Sequence, residues 1–486
     1  MKKMKSREGT TMKKTSSDRY LDARRNHWDA IARKKDRWQS AGTYYHTRLS
    51  EIYANLVSPG QRVLEIGCGT GELLASLKPS YGIGVDLSGE MVKRAAARFP
   101  GLRFIQTDAH DLDLGETFDV IILSDLVNDL WDVQHVFKML CNVSTQETRI
   151  IINMYSRMWE LPLILSQILG LSTPLLPQNW LTAEDITNML SLAGFEVIRH
   201  WHEILWPLDI PTVSRLLNRA AVRFWPFYYL TLTNFVIAKI RRVQPRNKPL
   251  VSVIVPARNE AGNIEEIFRR TPEMGGGTEL IFVEGNSSDK TYEAIEKTIA
   301  NYPERRCRLF KQKGKGKGDA VRLGFEKASG DILMILDADM TMPPEDLPRF
   351  YEAIISGEGE FINGVRLVYP MEKQAMRYLN LLGNKFFSLA FSWLLGQHIK
   401  DTLCGTKVLS RKDYEKIAKN RSYFGEFDPF GDFDLLFGAA KQNMKIVEMP
   451  IRYAERKYGE TNIDRWRHGL LLLKMTLFAM KKIKFR

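Results

Sequence analysis

Short apolar runs alternate with amphipathic stretches along the whole chain, and each run is closed by glycine, proline or an acid. Arg62-Val63-Leu64-Glu65-Ile66 is the first that reads as a buried strand; Gly67-Cys68-Gly69-Thr70-Gly71 and a helix-forming Glu72 to Leu77 follow it. Further strands are predicted at Gly82 to Val85, ending in Asp86, at Arg103 to Gln106, ending near Asp108, at Phe118 to Leu123 and at Arg149 to Asn153. Ahead of them Trp28, Ile31, Trp38, Leu49 and Ile52 fall at helical spacings, which predicts one or two helices laid before the sheet. Behind them LTAEDITNMLSLAGFEVIRHW predicts a helix and a strand, and LTNFVIAKI a last strand. Arg241 to Leu250 is basic, contains proline and has no apolar period, so it reads as a seam. A new series then begins with strands at Val251 to Val255, Glu279 to Val283 and Ile332 to Leu336. The last is bounded by Gly330-Asp331 and Pro343-Pro344. Strands that alternate with helices predict a parallel α/β sheet in each half.

Composition narrows the class. A chain of 486 residues exceeds what one core covers, and 44% hydrophobic with 26% charged residues is a globular composition. The expected division is a basic tail 1–19, a domain 20–240, a linker 241–249, a domain 250–468 and an amphipathic basic segment 469–486. Cys68, Cys141, Cys307 and Cys404 are widely spaced and form no CxxC pair, which implies neither a disulfide framework nor a zinc site. A formal charge of +13 points to an anionic partner: nucleic acid, anionic lipid headgroups or phosphorylated substrates. Without a run of eighteen apolar residues, or an apolar core in the first forty, the expectation is a cytoplasmic protein, peripheral at the inner face of a membrane.

In the first half, strand, glycine turn and helix make a nucleotide-type site, where glycines admit a ligand to the backbone and the free N–H groups of the helix favour a negative group. Asp86, closing the second strand, stands where a carboxylate accepts from both ribose hydroxyls. VLEIGCGTGELL, GVDLSGEMV, FIQTDAHDL and FDVIILSD resemble the successive motifs of class I S-adenosylmethionine-dependent methyltransferases, over about Asp29 to Lys239. The rival, a dinucleotide-binding dehydrogenase, calls for GxGxxG; the glycines here run GxGxG. The resemblance implies a Rossmann-like sheet whose last strand, LTNFVIAKI, is antiparallel, with S-adenosylmethionine held by Glu65, Gly67, Gly69, Gly71, Asp86, Met91 and Asp108. Asp86 would take the ribose and Asp108 would lie near the adenine amine. His110, Asp125, His135 and Tyr155 follow strands and are candidates on the acceptor side, though polar strand ends are also ordinary structure. Where many relatives have a His-rich segment this chain reads SDLVNDLWDV. The apolar stretch Glu160 to Pro177 reads as a lid or a membrane-contacting insertion. Ile204 to Tyr229 suits either use, or packing on the neighbouring domain.

In the second half Asp337 and Asp339 flank Ala338 at the carboxyl end of a strand, where open α/β sheets bind ligands. Two carboxylates so close repel unless a cation shares them, so a hard divalent ion carrying a diphosphate is the expected ligand. The run KGKGKGD lacks the Gly-Lys-Ser/Thr of a phosphate-binding loop and reads as a basic turn near that diphosphate. SVIVPARNEAGNI, FVEGNSSDKT, KGKGDAVRLGFEKASGDILMILDADM and DTLCGTKVLSR, in that order, resemble the inverting family 2 glycosyltransferases of the GT-A fold, and within them the polyprenyl-phosphate sugar synthases. The resemblance implies a nucleotide-sugar site of Pro256, Ala257, Arg258, Asn259, Glu260, Glu284, Asp319 and Asp337, with Mg2+ or Mn2+ on Asp337 and Asp339. It also implies an acceptor-side acid at Asp434 or Asp432, with helix capping as the competing account, and an acceptor phosphate held by Arg456, Lys457 and Thr461. Gly285 stands where the family has a second acid. Tyr378 to Ile399 and Gly469 to Phe485 are apolar, aromatic and interrupted, and read as interfacial helices or as packing on the core.

The expected whole is a fusion of the two enzymes, with a nucleotide-sugar donor, a polyprenyl-phosphate or glycolipid acceptor and no nucleic acid. The alternative is a glycosyltransferase whose first half is a non-catalytic cofactor-binding or docking module.

Overall fold

The computed structural model describes residues 15–34, 43–170, 172–241, 248–366, 378–421, 431–451, 458 and 465–485. The chain separates into two compact units, Met1–Ile240 and Arg241–Arg486. Both are α/β.

The first unit is a seven-stranded sheet. Its strands are β1 (Arg62–Ile66), β2 (Tyr81–Asp86), β3 (Arg103–Gln106), β4 (Phe118–Ser124), β5 (Ser144–Tyr155), β6 (Phe195–Glu203) and β7 (Thr233–Ile240), in the order β3-β2-β1-β4-β5-β7-β6. β1 to β5 run parallel, and β7 is antiparallel to both β5 and β6. Central strands with near-continuous apolar runs bury both faces: Leu64, Ile121, Leu123 and Ile150 enter one core cluster, and Val63, Ile122, Ile151 and Ile237 the other. The order reverses between β1 and β4, which opens a crevice at their carboxyl ends. β5 is twelve residues long, more than the run Arg149 to Asn153 predicts. Its extra polar residues, Ser144 to Thr148, pair back to Phe118 across a register shift, and alternation alone does not reveal such a step.

The second unit is again seven-stranded, with β8 (Val251–Ala257), β9 (Thr278–Glu284), β10 (Arg306–Lys311), β11 (Ile332–Ile335), β12 (Phe361–Val365), β13 (Lys407–Ser410) and β14 (Ile446–Pro450) in the order β10-β9-β8-β11-β13-β12-β14. The sheet is mixed, not wholly parallel as the alternation of elements predicts. β13 is antiparallel to β11 and to β12. An apolar run does not encode strand direction, so the reversal had no signal in the pattern. The switch between β8 and β11 puts the carboxylates after β11 at the crevice. The Tyr378–Leu395 helix seats Phe387, Phe391, Leu394 and Leu395 in the core while Phe386 and Leu389 are exposed; in the last helix Met475 and Ala479 are buried while Leu473 and Leu477 are exposed. Core packing thus accounts for one side of each helix that the sequence suggested for an interface.

Candidate active sites

Each site is built on the carboxyl ends of parallel strands. In the first unit, left-handed Gly67, Gly69 and Gly71 turn the chain from β1 into the Glu72–Ser76 helix. A Cβ on Gly71 would lie 2.7 Å from the Phe104 ring, so no other residue fits, whereas one on Gly69 would meet nothing within 4 Å: the loop faces open space there. Buried Glu65 accepts the Leu74 N–H at 3.0 Å, pinning the helix to the strand, and burial pushes its carboxyl well up. Asp86 accepts Gly69 N–H at 2.8 Å and Ser88 N–H at 2.9 Å. Burial raises its carboxyl, against the pull of those two donors. A carboxylate accepts about four hydrogen bonds. Two therefore hold the loop, and capacity remains for a pair of ribose hydroxyls. Met91 is buried, and its N–H donates to the Ser88 hydroxyl that caps the Gly89–Arg98 helix. The Ser16–Lys34 helix closes against this end: Asp29 accepts from the Ser88 hydroxyl, and Trp28 Nε1–H and Arg24 both bond Asp129. This glycine loop, with its acid and its open face, fits an adenosyl cofactor.

Asp108, His110 and His135 form a chain at the end of β3. Asp108 accepts His110 Nδ1 at 2.7 Å, and His110 Nε2 accepts the Asp132 N–H at 3.0 Å; the His135 ring stacks 6.2 Å from that of His110. Burial pushes the Asp108 carboxyl up, but the bonds from His110 overcome it and hold it low. Both nitrogens of His110 are thus engaged, one by Asp108 and one by the Asp132 N–H. Asp125 differs. It follows β4 with a left-handed backbone, φ 53°, and its carboxylate accepts from the Tyr45 hydroxyl at 2.9 Å, from Asn153 Nδ2–H at 2.6 Å and from Tyr155. Burial pushes the carboxyl up to about 7 against those three donors. Leu126, next in the chain, reaches within 2.9 Å of where a Gly67 Cβ would stand, so Asp125 lies beside the glycine loop. Tyr45 and Tyr53 completed this cluster without any signal in the sequence, since a tyrosine on an amphipathic helix looks like any core aromatic; Asn153 was read only as the end of a strand.

In the second unit Pro256 and Ala257 end β8, and the turn that follows is locked to the one after β9. Asn259, with φ 58°, receives Ser288 N–H on Oδ1 at 2.8 Å and donates its own N–H to the Ser287 hydroxyl at 3.0 Å; Arg258 beside it is exposed. Glu260 donates its N–H to Thr291 and accepts from Asn263; Glu284 accepts the Ser287 N–H at 2.5 Å. Both acids are buried. Asp319 accepts Gly314 N–H at 3.1 Å, folding the basic turn onto the Lys317–Lys327 helix. That turn delivers a residue the sequence reading left unassigned: Lys317 Nζ lies 2.5 Å from Asp337 Oδ1. Burial pushes the Asp337 carboxyl up, yet Lys317, with Lys407 and Arg366 behind it, holds it below its ordinary value. Asp339 accepts the N–H and hydroxyl of Thr341 at 3.1 and 2.8 Å. Among the described residues no group of three His, Cys, Asp or Glu side chains converges, so Asp337 and Asp339 suit a hard cation only with a diphosphate completing its shell.

Asp434 lies in the first turn of the Asp432–Lys441 helix, buried, with Arg421 Nε on its Oδ2 at 2.8 Å and Arg322 at 4.0 Å. No side-chain cap is formed at that helix start. A Cβ on Gly431 would meet the Gly318 backbone at 2.6 Å, which brings Asp434 to the helix that carries Lys317. Asp432 opens the helix; its side chain, with Arg456, Lys457 and Thr461, lies outside the described residues. Tyr458, from the same motif, reaches the position of a Gly262 Cβ at 2.6 Å, beside Glu260. Arg366 clasps the fully buried Asp401 through Nε and Nη2 at 2.7 and 2.8 Å, and Lys407 is buried completely. These cations had no signal in an apolar pattern, because each closes or enters a strand as an isolated residue.

Two sequence models of known families match the chain, one within each unit. Residues 57–194 match the sequence model of a methyltransferase domain, and residues 252–418 that of glycosyl transferase family 2. A dolichol-phosphate mannosyltransferase of Pyrococcus furiosus is 32% identical over 219 residues, which is 44% of this chain and 59% of that protein. An undecaprenyl-phosphate 4-deoxy-4-formamido-L-arabinose transferase of Edwardsiella ictaluri is 26% identical over 46% of this chain and 64% of its own length. The chain thus spans about three fifths of each of these two relatives. A solved S-adenosylmethionine-dependent methyltransferase of Thermotoga maritima, described as a possible histamine N-methyltransferase, aligns with 45% of this chain and 99% of its own at 18% identity and a TM-score of 0.35. The chain is a fusion in which a methyltransferase domain precedes a family 2 glycosyltransferase domain.

Proposed function

We propose that the chain is a bifunctional enzyme. Its first unit methylates an acceptor from S-adenosylmethionine, and its second moves a sugar, with inversion, from a nucleotide-sugar to a polyprenyl phosphate or related lipid acceptor. What carries the reading is the recurrence, at the strand ends beside both switch points, of a carboxylate tied to a loop that suits a charged ligand: Asp86 to Gly69, and Asp337 to Lys317. The names of the two relatives, a dolichol-phosphate and an undecaprenyl-phosphate transferase, support the lipid phosphate as acceptor.

In the first unit Glu65, Gly67, Gly69, Gly71, Asp86, Met91 and Asp108 hold the cofactor. When bound, S-adenosylmethionine supplies a methyl group already activated by its sulfonium. The protein has to orient the acceptor and take its proton. Asp125 receives that proton on its carboxylate; with a pKa of about 7 it is half ionised at neutral pH, which suits a general base. Tyr45, Asn153 and Tyr155 fix its direction.

In the second unit Pro256 to Glu260, Glu284 and Asp319 shape the nucleotide pocket, and Asp337 and Asp339 hold Mg2+ or Mn2+, which would neutralise the leaving diphosphate. Lys317 shares that work: an ammonium against Asp337 stands ready for the phosphates. A phosphate monoester acceptor is ionised already and needs no strong base. Asp434, committed to Arg421, therefore serves to aim Arg421 and Arg322 at the acceptor, alongside Asp432, Arg456, Lys457 and Thr461.

The test is transfer by purified full-length protein from a panel of nucleotide-sugars to short polyprenyl phosphates with manganese or magnesium. Asp337→Asn and Asp339→Asn are expected to abolish it, and undiminished transfer by both overturns the reading of the second unit. Titration with S-adenosylmethionine is expected to show binding that Asp86→Ala removes; no binding, or binding that Asp86→Ala leaves unchanged, overturns the reading of the first.

A further inference from the structure

Past the carboxyl ends of β8, β9 and β10, two polar side chains flank a glycine and neither is matched by the protein. The three strands are parallel neighbours, with Ala257 opposite Glu284 and Glu284 opposite Lys311. Their ladder runs on for one more step: Gly285 N–H donates to the Ala257 carbonyl and Gln312 N–H to the Glu284 carbonyl, both at 2.9 Å. Arg258, Gly285 and Gln312 therefore stand side by side and share one face. Glu284, one step back, belongs to the opposite face, where it holds the Ser287 N–H. A Cβ on Gly285 would lie 3.1 Å from Gln312 Oε1 and 3.4 Å from Arg258 Cβ, so the amide reaches over the glycine from one side and the arginine rises on the other. Gln312 Nε2–H donates to the Gly316 carbonyl at 2.7 Å, which turns Oε1 toward the gap, and among the described residues nothing donates to that oxygen. It is not an enclosed atom. Arg258 is exposed and makes no hydrogen bond or ion pair among the described residues.

We propose that Gln312 reads the nucleobase of the sugar donor: its Oε1 accepts a ring N–H while Arg258 donates to the carbonyl beside that N–H, so the second unit takes a lactam base such as uracil or guanine, lying against Gly285. This rests on the nucleotide-sugar reading of the unit. Position favours it first. Asp337 and Asp339 follow β11, and on the β13 side Gly405 closes the row, since a Cβ there would run into Asp337 Oδ2 and Lys317 Nζ. A nucleoside on a diphosphate held at β11 therefore extends over β8 toward β9 and β10. β9 lies two strand spacings from β11, about 10 Å, which brings the base over Gly285. Chemistry then selects the base. Gln312 offers an acceptor alone and Arg258 donors alone, and a lactam presents N–H next to C=O at the edge away from the sugar. Adenine has no carbonyl, and the usual pairing of glutamine with it needs both ends of the amide, one of which Gly316 has taken. Cytosine sets an unprotonated nitrogen between its amino group and its carbonyl, and reading that amino group is the work of a carboxylate, which Gly285 does not supply. A guanidinium on a carbonyl oxygen is a charge-assisted bond, so Arg258 strengthens the preference that Gln312 sets.

The test is calorimetric titration of the full chain, in the presence of Mn2+, with UDP, GDP, ADP and CDP. UDP or GDP is expected to bind about tenfold or more tighter than ADP and CDP, and which of the two leads distinguishes a pyrimidine from a purine at the same edge. Methylating the ring N–H of the leading nucleotide, as 3-methyl-UDP or 1-methyl-GDP, is expected to weaken binding about tenfold or more. Gln312→Met keeps the length of the side chain and removes the acceptor. It is expected to erase the methylation penalty and to narrow the preference among the four nucleotides, with pyrophosphate bound as before. ADP or CDP bound as tightly as the leading nucleotide, a methylated nucleotide bound as well as its parent, or a penalty that survives in Gln312→Met overturns the proposal. The methylated nucleotides test it on the parent protein, whatever the variant does to folding. Pyrophosphate separates the two failures: if neither it nor any nucleoside diphosphate binds, the nucleotide-sugar reading falls, and if all four nucleotides bind alike, only the assignment of Gln312 does.

Discussion

At Asp125 a left-handed backbone, burial and three donors converge on one carboxyl group, and its titration has consequences that can be read in two ways. The base works when ionised, so kcat/KM for methyl transfer is expected to rise about tenfold per pH unit below pH about 7 and to level off above it. Asp125→Asn removes that dependence together with most of the rate, while cofactor binding persists. Stability runs the other way. The folded pKa of about 7 lies above the ordinary carboxylate value, so the folded state binds the extra proton; the stabilisation is full below pH about 4 and is lost as pH rises through about 7. Thermal melts from pH 5 to 8 check this: the decline in Tm of the parent protein is expected to be shallower in Asp125→Asn. Asp125 and Tyr155 stood out in the sequence because they close strands. Tyr45 did not, because it reads as one more aromatic on a helix, and Asn153, though it closes a predicted strand, was not recognised as a partner because what distinguishes it is contact with Asp125 and Tyr53.

Elements meet the sites through glycines whose neighbours decide what a substitution does. A Cβ on Gly324 would press 2.5 Å from Ile254 Cγ2, in the middle of the core between the Lys317–Lys327 helix and β8. Nothing there can give, so Gly324→Ala is expected to cost about 1–3 kcal/mol in denaturant unfolding. On Gly405 the added Cβ would run into Asp337 Oδ2 and Lys317 Nζ, both far ends of side chains. Gly405→Ala is therefore expected to leave Tm nearly unchanged and to lower sugar transfer tenfold or more, about 1.4 kcal/mol of lost donor alignment or greater. The same contrast holds for ion pairs. Arg223 holds Glu203 at 2.6 Å with both side chains under a tenth exposed, and it anchors residues 204–230 to β6. Arg223→Ala leaves a buried carboxylate without its cation, an expected loss of about 3–5 kcal/mol in the unfolding of the first unit.

For the whole molecule, each unit has its own sheet and its own pair of core clusters, which predicts two calorimetric transitions. A ligand that binds only the folded form of one unit raises only that unit's transition. S-adenosylhomocysteine is expected to move one and a nucleoside diphosphate with manganese the other, each by about 2.7 kcal/mol at a hundredfold excess over Kd. The sequence by itself determined the strands of the first sheet, the glycine loop with Asp86, and Asp337 and Asp339 at a strand end, because apolar period and glycine spacing are local and survive without a fold. It left open the direction of β13, the register shift in β5, the clasp of Lys317 on Asp337 and of Arg421 on Asp434, and the tyrosines around Asp125. Those are pairings between residues far apart in the chain, and only the tertiary structure chose among them: burying a charge or a hydroxyl demands a partner, and packing, not spacing, settles which one is in reach.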